Sequence, residues 1–196
     1  MRQDARQERM REIERTALCL LVGQGYGATT MAAVAKAAGA SFETLYKWYG
    51  DKQGLFRAMV ESNTEALWEA LGLSPAGSAD PLALLEEFGP RLISVLTSDA
   101  VVELNRAAAA DPSGELGAII AEAGRGTIAP QLNALFERAK AQGAPVPHDP
   151  AEATETYLGL LLGDLQIRRV VGRVPPPDAA EIRRRSDRAL KMLLGL

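Results

Sequence analysis

The 196-residue chain holds one cysteine, Cys19, and one histidine, His148. A lone cysteine cannot close an intramolecular disulfide, so a reducing compartment, the cytoplasm, is the expected location. His148 stands between Pro147 and Asp149 in an expected loop, a setting that suits a solvent-exposed imidazole better than a catalytic or metal-binding one. Aromatic residues are only 5% of the chain, low for an all-β protein. Apolar runs are short: Leu158 to Gly163 falls far below the ~20 residues that span a bilayer. The first fifteen residues, MRQDARQERMREIER, are charged throughout and lack the apolar stretch of a secretory signal. No metal-ligand cluster, nucleophile motif or carboxylate pair presents itself, which argues against an enzyme and against a resident metal or cofactor.

What is abundant is Ala and Leu, and both favour helix. The net charge of −3 is unevenly spread, with nine basic against six acidic residues in 1–60 and thirteen against nineteen in 61–196. A basic head on an acidic body suits a protein that offers one end to a polyanion.

Helical periodicity and punctuation divide the chain. Met10, Ile13, Ala17, Leu20 and Leu21 form an apolar stripe over 7–22, with Arg9, Arg11, Glu12 and Arg15 off it; Gly23, Gly25 and Gly27 are expected to end that helix. Thr29 or Thr30 caps a second short helix to about Ala38, and Gly39 stops it. Ser41 caps a third over 42–48. Gly50 and Asp51 repeat the signal before a long helix from Lys52 to about Leu71, followed by a Gly, Ser and Pro cluster at 72–81. Further helices are expected at about 81–97, 99–110, 114–142, 149–171 and 177–194. The 114–142 segment contains Gly124, Gly126 and Pro130 and reads as two helices or one kinked helix. Nothing alternates with period two, so the fold class is all-α.

The strongest signal lies in 30–49. A helix-turn-helix needs a small residue where its helices cross, a strain-free turn residue four positions on, and an apolar residue on the second helix pointing back. Ala35, Gly39 and Leu45 stand at those spacings. The second helix is then free to enter a major groove.

Here the chain resembles the tetracycline-repressor (TetR) family of bacterial regulators. Gly25-Tyr26, Thr29-Thr30, Val34-Ala35, Ala38-Gly39, Ser41, Thr44-Leu45-Tyr46, Tyr49, Lys52, Leu55 and Phe56 fall in the family's order and spacing, over roughly residues 8–60. The resemblance implies a three-helix DNA-binding head over 1–50, a linking helix over 51–71, and a larger helical ligand-binding and dimerising domain over 72–196. It implies that Thr30 meets a phosphate, that Ser41, Phe42, Glu43, Thr44, Tyr46 and Lys47 face the groove, and that Lys52 holds a phosphate beside a helix N-terminus.

Three positions depart from the family pattern: Phe42 where a basic residue is common, Glu43 where a small or polar one is common, and Trp48 where His is common. Phe42 either touches a thymine methyl or packs on the first helix. Glu43 either accepts from a cytosine amino group or favours the positive end of its helix.

The resemblance also implies a homodimer built on the last two long helices, a palindromic double-stranded operator, and release by a small apolar or amphipathic effector. Trp68, Phe88, Leu92, Val102, Asn105, Phe136 and Leu161 combine bulky apolar groups with a few polar ones; they line an effector pocket or are simply core. Asp164 and Gln166, like Asn105, interrupt apolar stretches and are read first as helix-helix hydrogen bonds or a wet edge. Cys19 is read as an apolar filler, and Arg183-Arg184-Arg185 as the wet face of the last helix. Gly23 to Ala28 loosely fits a dinucleotide-binding pattern but lacks the preceding strand.

Overall fold

The computed structural model describes residues 2–70, 80–147 and 149–195. His148 and positions 72–79 of the Gly, Ser and Pro cluster lie outside these. Among the described residues regular structure is helical: α1 (Arg2–Ala28), α2 (Met31–Ala38), α3 (Phe42–Tyr49), α4 (Lys52–Ala70), α5 (Pro81–Leu96), α6 (Asp99–Ala109), α7 (Glu115–Ile119), a π-helical stretch (Ile120–Arg125), α8 (Gly126–Ala141), α9 (Pro150–Leu162), α10 (Leu165–Val170) and α11 (Ala179–Leu194). No helix there is long and apolar enough to cross a membrane.

The chain forms two compact units. One comprises residues 1–64 and 99–124, the other 65–98 and 125–196, and α4 passes from the first into the second. In the first unit Ile13, Ala17 and Leu21 of α1 meet Val34, Leu45, Leu55 and Phe56 in a buried core, which Leu104, Leu116 and Ile119 also enter. α6, α7 and the start of the π stretch are therefore part of this unit. The hydroxyl of Thr64 lies 3.1 Å from Val60 O and 3.2 Å from Ala123 O, one donor facing both its own helix and a carbonyl of the π stretch. Arg57 pairs with Glu122 at 3.0 Å, and Gln53 donates to Glu115, so two further bonds join α4 to this segment.

The second unit packs α5, α8, α9, α10 and α11 around Leu85, Phe88, Leu132, Phe136, Tyr157 and Leu161. Three of its helices start on an Asp whose carboxylate takes up a free N–H: Asp80 from Leu82, Asp149 from Ala151 and Glu152, Asp178 from Glu181. α5 and α11 approach so closely that a Cβ on Gly89 would meet Ser186 Oγ at 2.1 Å and Tyr157 Oη at 2.7 Å.

Two expected boundaries are corrected, and the alternative left open for 114–142 is settled. The first helix does not stop at Val22 but runs to Ala28, and its break is confined to Gly25, whose φ of 76° and ψ of 169° are non-helical; Gly23 is carried inside the helix at about 1 kcal/mol relative to Ala. The 114–142 segment is two α-helices joined by the π stretch. The expected 149–171 helix is two, because Gly163 takes φ 48°, ψ −124° and stops α9 before α10 begins at Leu165.

Candidate nucleic-acid interface

The helix-turn-helix is built from local signals. Thr30 Oγ1 accepts from Ala33 N–H at 3.1 Å and starts α2. Gly39 ends it in the left-handed region, φ 60°. Ser41 Oγ accepts from Thr44 N–H at 3.0 Å and starts α3. Each such cap contributes about 1 kcal/mol to its helix.

α3 is then fixed by what it buries. Leu45 is wholly buried, and the Tyr49 hydroxyl reaches Met10 O at 3.2 Å and the buried Glu14 carboxylate at 3.3 Å. Burial, and the negative charge of Glu14 beside it, hold the Tyr49 hydroxyl well above its ordinary pKa. Trp48 is partly buried against the same core, with the Arg6 guanidinium over its ring at 5.5 Å.

Two contacts that hold α3 in place have no counterpart in the expected site. Arg9 donates to Ala38 O at 2.6 Å and Gly39 O at 3.1 Å, capping the exposed carbonyls of the helix-turn-helix turn from α1. Gly54 lets α4 cross the end of α3, since a Cβ there would stand 1.8 Å from Tyr49 O. Arg9 shows its role only through an approach from a distant part of the chain, and Gly54 only through the angle at which α4 leaves α3.

With Leu45 and Tyr49 turned inward, α3 leaves Phe42, Glu43, Tyr46 and Lys47 exposed on its outer face. Phe42 is 51% exposed and Tyr46 45%. Their rings touch each other, centroids 4.6 Å apart, one helical turn along. Thr44 is half-buried and its hydroxyl shares a 2.8 Å bond with Ser41 Oγ, which uses one of the two hydroxyl protons. Thr30 is exposed and keeps its own hydroxyl proton to donate.

Lys52 stands differently from the expected phosphate anchor. Its ammonium sits 3.8 Å from the centre of the Tyr26 ring and donates to Tyr26 O, with Gly27 O at 3.5 Å. It thus caps the end of α1, and partial burial lowers its pKa.

The seven residues expected to line a pocket fall in both units. Trp68, Phe88, Leu92, Phe136 and Leu161 share the buried core of the second, with Trp68 stacked on Phe88 at 5.1 Å. Val102 and Asn105 lie on α6 of the first, Val102 buried and Asn105 donating to Val101 O at 2.8 Å within its own helix. In the second unit the buried Trp68 Nε1, Asn133 Oδ1 and Thr154 Oγ1 have no hydrogen-bond partner. Gln166 instead donates to Leu96 O at 3.3 Å, while Asp164 is exposed. Cys19 is exposed on α1 and fills no core. Arg183 and Arg184 are exposed and Arg185 half-buried, on the wet side of α11. Among the described residues no group of acidic, His or Cys side chains is placed to hold a metal ion.

Residues 13–59 match the sequence profile of bacterial regulatory proteins of the tetR family, and residues 83–196 that of the AefR-like transcriptional repressor C-terminal domain. Among solved structures the chain is similar to a TetR transcriptional regulator from Agrobacterium tumefaciens, at 30% identity over 95% of this chain and 93% of that one, TM-score 0.76. It is similar to a TetR-family regulator from Mesorhizobium loti, at 26% identity over 96% of each chain, TM-score 0.77. It is also similar to the flavonoid-responsive regulator FrrA, at 26% identity over 96% of each chain, TM-score 0.66. No curated protein matches the chain.

Proposed function

Since the chain belongs to the tetR family of bacterial transcriptional regulators, we propose that it is a homodimeric repressor that holds a palindromic operator through α3 and releases it when a small molecule enters its second unit. The observation that carries this reading is the exposed face of α3. Phe42, Glu43, Tyr46 and Lys47 project from a short helix whose opposite side is locked into the core, the presentation that major-groove entry requires. Thr30 and Ser41 cap the two helices; on this reading Thr30 and the first N–H groups of α2 take a phosphate, and Ser41 and Thr44 belong to the groove-facing side of α3. Lys47 supplies positive charge from α3. Lys52 serves as a brace for α1 and adds its charge to the same end of the unit.

The repressor reading draws on the AefR-like profile over the second unit. An effector is supported by the orphaned Trp68 Nε1: a buried donor without a partner costs about 1–3 kcal/mol, which a ligand acceptor would relieve. The response of FrrA to flavonoids makes a polyphenol-sized molecule a fitting first probe. α4, which starts at the end of α3 and carries Trp68 near its own end, is the element through which occupancy would reach the head. The dimer is supported by Ile167, Val171 and Met192, large apolar side chains left exposed on and beside α10 and α11. The regulator acts by binding, and no step of this scheme calls for catalysis.

Selection of bound fragments from random duplex DNA by the full-length chain tests the proposal. The expected result is an inverted repeat with half-sites one helical turn apart or a multiple of it, bound less tightly once flavonoids from a panel are added. Recovery of no motif, or of a single unrepeated half-site, would overturn it.

A further inference from the structure

We infer that Phe42 is a specificity-determining residue, whose ring seats against the C5-methyl group of a thymine in each operator half-site. The inference rests on the reading of α3 as the helix that enters the major groove, and it names what that helix selects.

Phe42 stands at the first position of α3, half exposed, and its ring meets that of Tyr46, itself 45% exposed. Two large aromatic side chains are thus held together in water on the outer face of an eight-residue helix that is otherwise well anchored. Tyr46 stiffens Phe42 from behind, so little freedom is lost when the ring docks.

The chemistry of the groove leaves one favourable partner. The edges of the bases display hydrogen-bond acceptors, amino donors and a single apolar group, the thymine methyl. A phenyl ring pushed against an acceptor or an amino group strips water from it and gives no bond in return. Against a methyl it buries apolar area on both sides.

The neighbours of Phe42 keep the front of α3 turned to the bases. Glu43 is exposed and bears a negative charge, which repels phosphates and can only accept, so it suits the amino group of a cytosine or adenine next to the thymine. Ser41 and Thr44 bond each other, which takes up one of their two hydroxyl protons.

The test uses the selected operator and the full-length chain. Each thymine is replaced in turn by deoxyuridine, which removes the methyl and leaves pairing intact. One thymine per half-site is expected to show a loss of about fourfold in affinity, the factor that burying one methyl carries, compounding when both half-sites are changed. Phe42→Ala should bind more weakly and no longer distinguish thymine from uracil at that position, while Phe42→Leu, still apolar, keeps part of the preference. A wild type indifferent to every replacement, or a Phe42→Ala variant as sensitive as the wild type, would overturn the inference and leave the operator-binding reading standing. Failure of the wild type to select any duplex would overturn both.

Discussion

At the scale of single residues, the recognition helix is held by a proton. The Tyr49 hydroxyl bridges α3 to Met10 O and to the buried Glu14 carboxylate, and a phenolate there would face a like charge in a desolvated place. Its folded-state pKa is raised above the ordinary value near 10, so the folded chain keeps this proton more tightly than the unfolded one. The contribution is complete below pH 10 and is lost as pH rises past that value. Tyr157, buried and donating to Leu85 O at 3.0 Å, is raised for the same leading cause, desolvation, and works in the same direction in the second unit. Thermal unfolding followed between pH 8 and 11 should therefore show a fall in midpoint beginning near pH 10. Tyr49→Phe should cost about 1 kcal/mol at neutral pH, the net worth of a hydrogen bond, and should flatten that alkaline fall. Equal alkaline losses in wild type and in a Tyr49→Phe/Tyr157→Phe double variant would show that neither hydroxyl carries the effect.

At the scale of elements, the angle between α3 and α4 depends on an atom that is absent. Gly54 sits in the first turn of α4, where a methyl group would stand 1.8 Å from Tyr49 O, a backbone atom that cannot swing aside. Gly54→Ala is expected to destabilise the first unit by about 1–3 kcal/mol, the usual cost of overpacking, and to weaken operator binding more than that loss of folded protein explains, because α3 must tilt. Denaturant melts beside binding titrations at full folding would check it; an Ala variant that binds like wild type would show that α4 shifts instead. Such a residue marks where sequence reasoning reaches its end. Thr30, Gly39, Ser41 and Leu45 were legible because caps, a left-handed turn and an inward leucine are signals within a few residues of one another. Arg9 acts across the fold, on Ala38 O and Gly39 O, and Gly54 acts on Tyr49 O of the preceding helix, where only the angle between the two helices brings them together; no sequence pattern distinguishes them from a solvated arginine or an ordinary helical glycine. Gly163 breaks a helix from inside an apolar run, where periodicity continues through it. The pocket residues were gathered by type, and Val102 and Asn105 proved to belong to a different unit from the other five because type does not reveal which helices pack together.

At the scale of the whole molecule, the proposed dimer implies that one head contributes too little to hold an operator alone. α3 exposes a single basic side chain, Lys47, and an acidic one, Glu43, so charge neutralisation per half-site is small and the phosphate contribution to affinity is modest. Joining two heads makes the second contact intramolecular, which raises affinity by about 10²–10⁴ without any new interaction. The joint proposed here is apolar: Ile167 and Val171, one turn apart and 58% and 60% exposed, and Met192 on α11, 60% exposed. Ile167→Asp with Met192→Asp places two charges on that surface and leaves α1 to α4 untouched. The double variant should sediment at the chain mass of 20.9 kDa where the wild type sediments at twice that value. Its affinity for the full palindrome should fall by about 10²–10⁴, while its affinity for an isolated half-site stays equal to that of the wild type. The half-site measurement separates the explanations: a loss there as well would mean that the substitutions damaged the head. A monomer that still held the palindrome with full affinity would mean that the two-headed grip is not the source of binding.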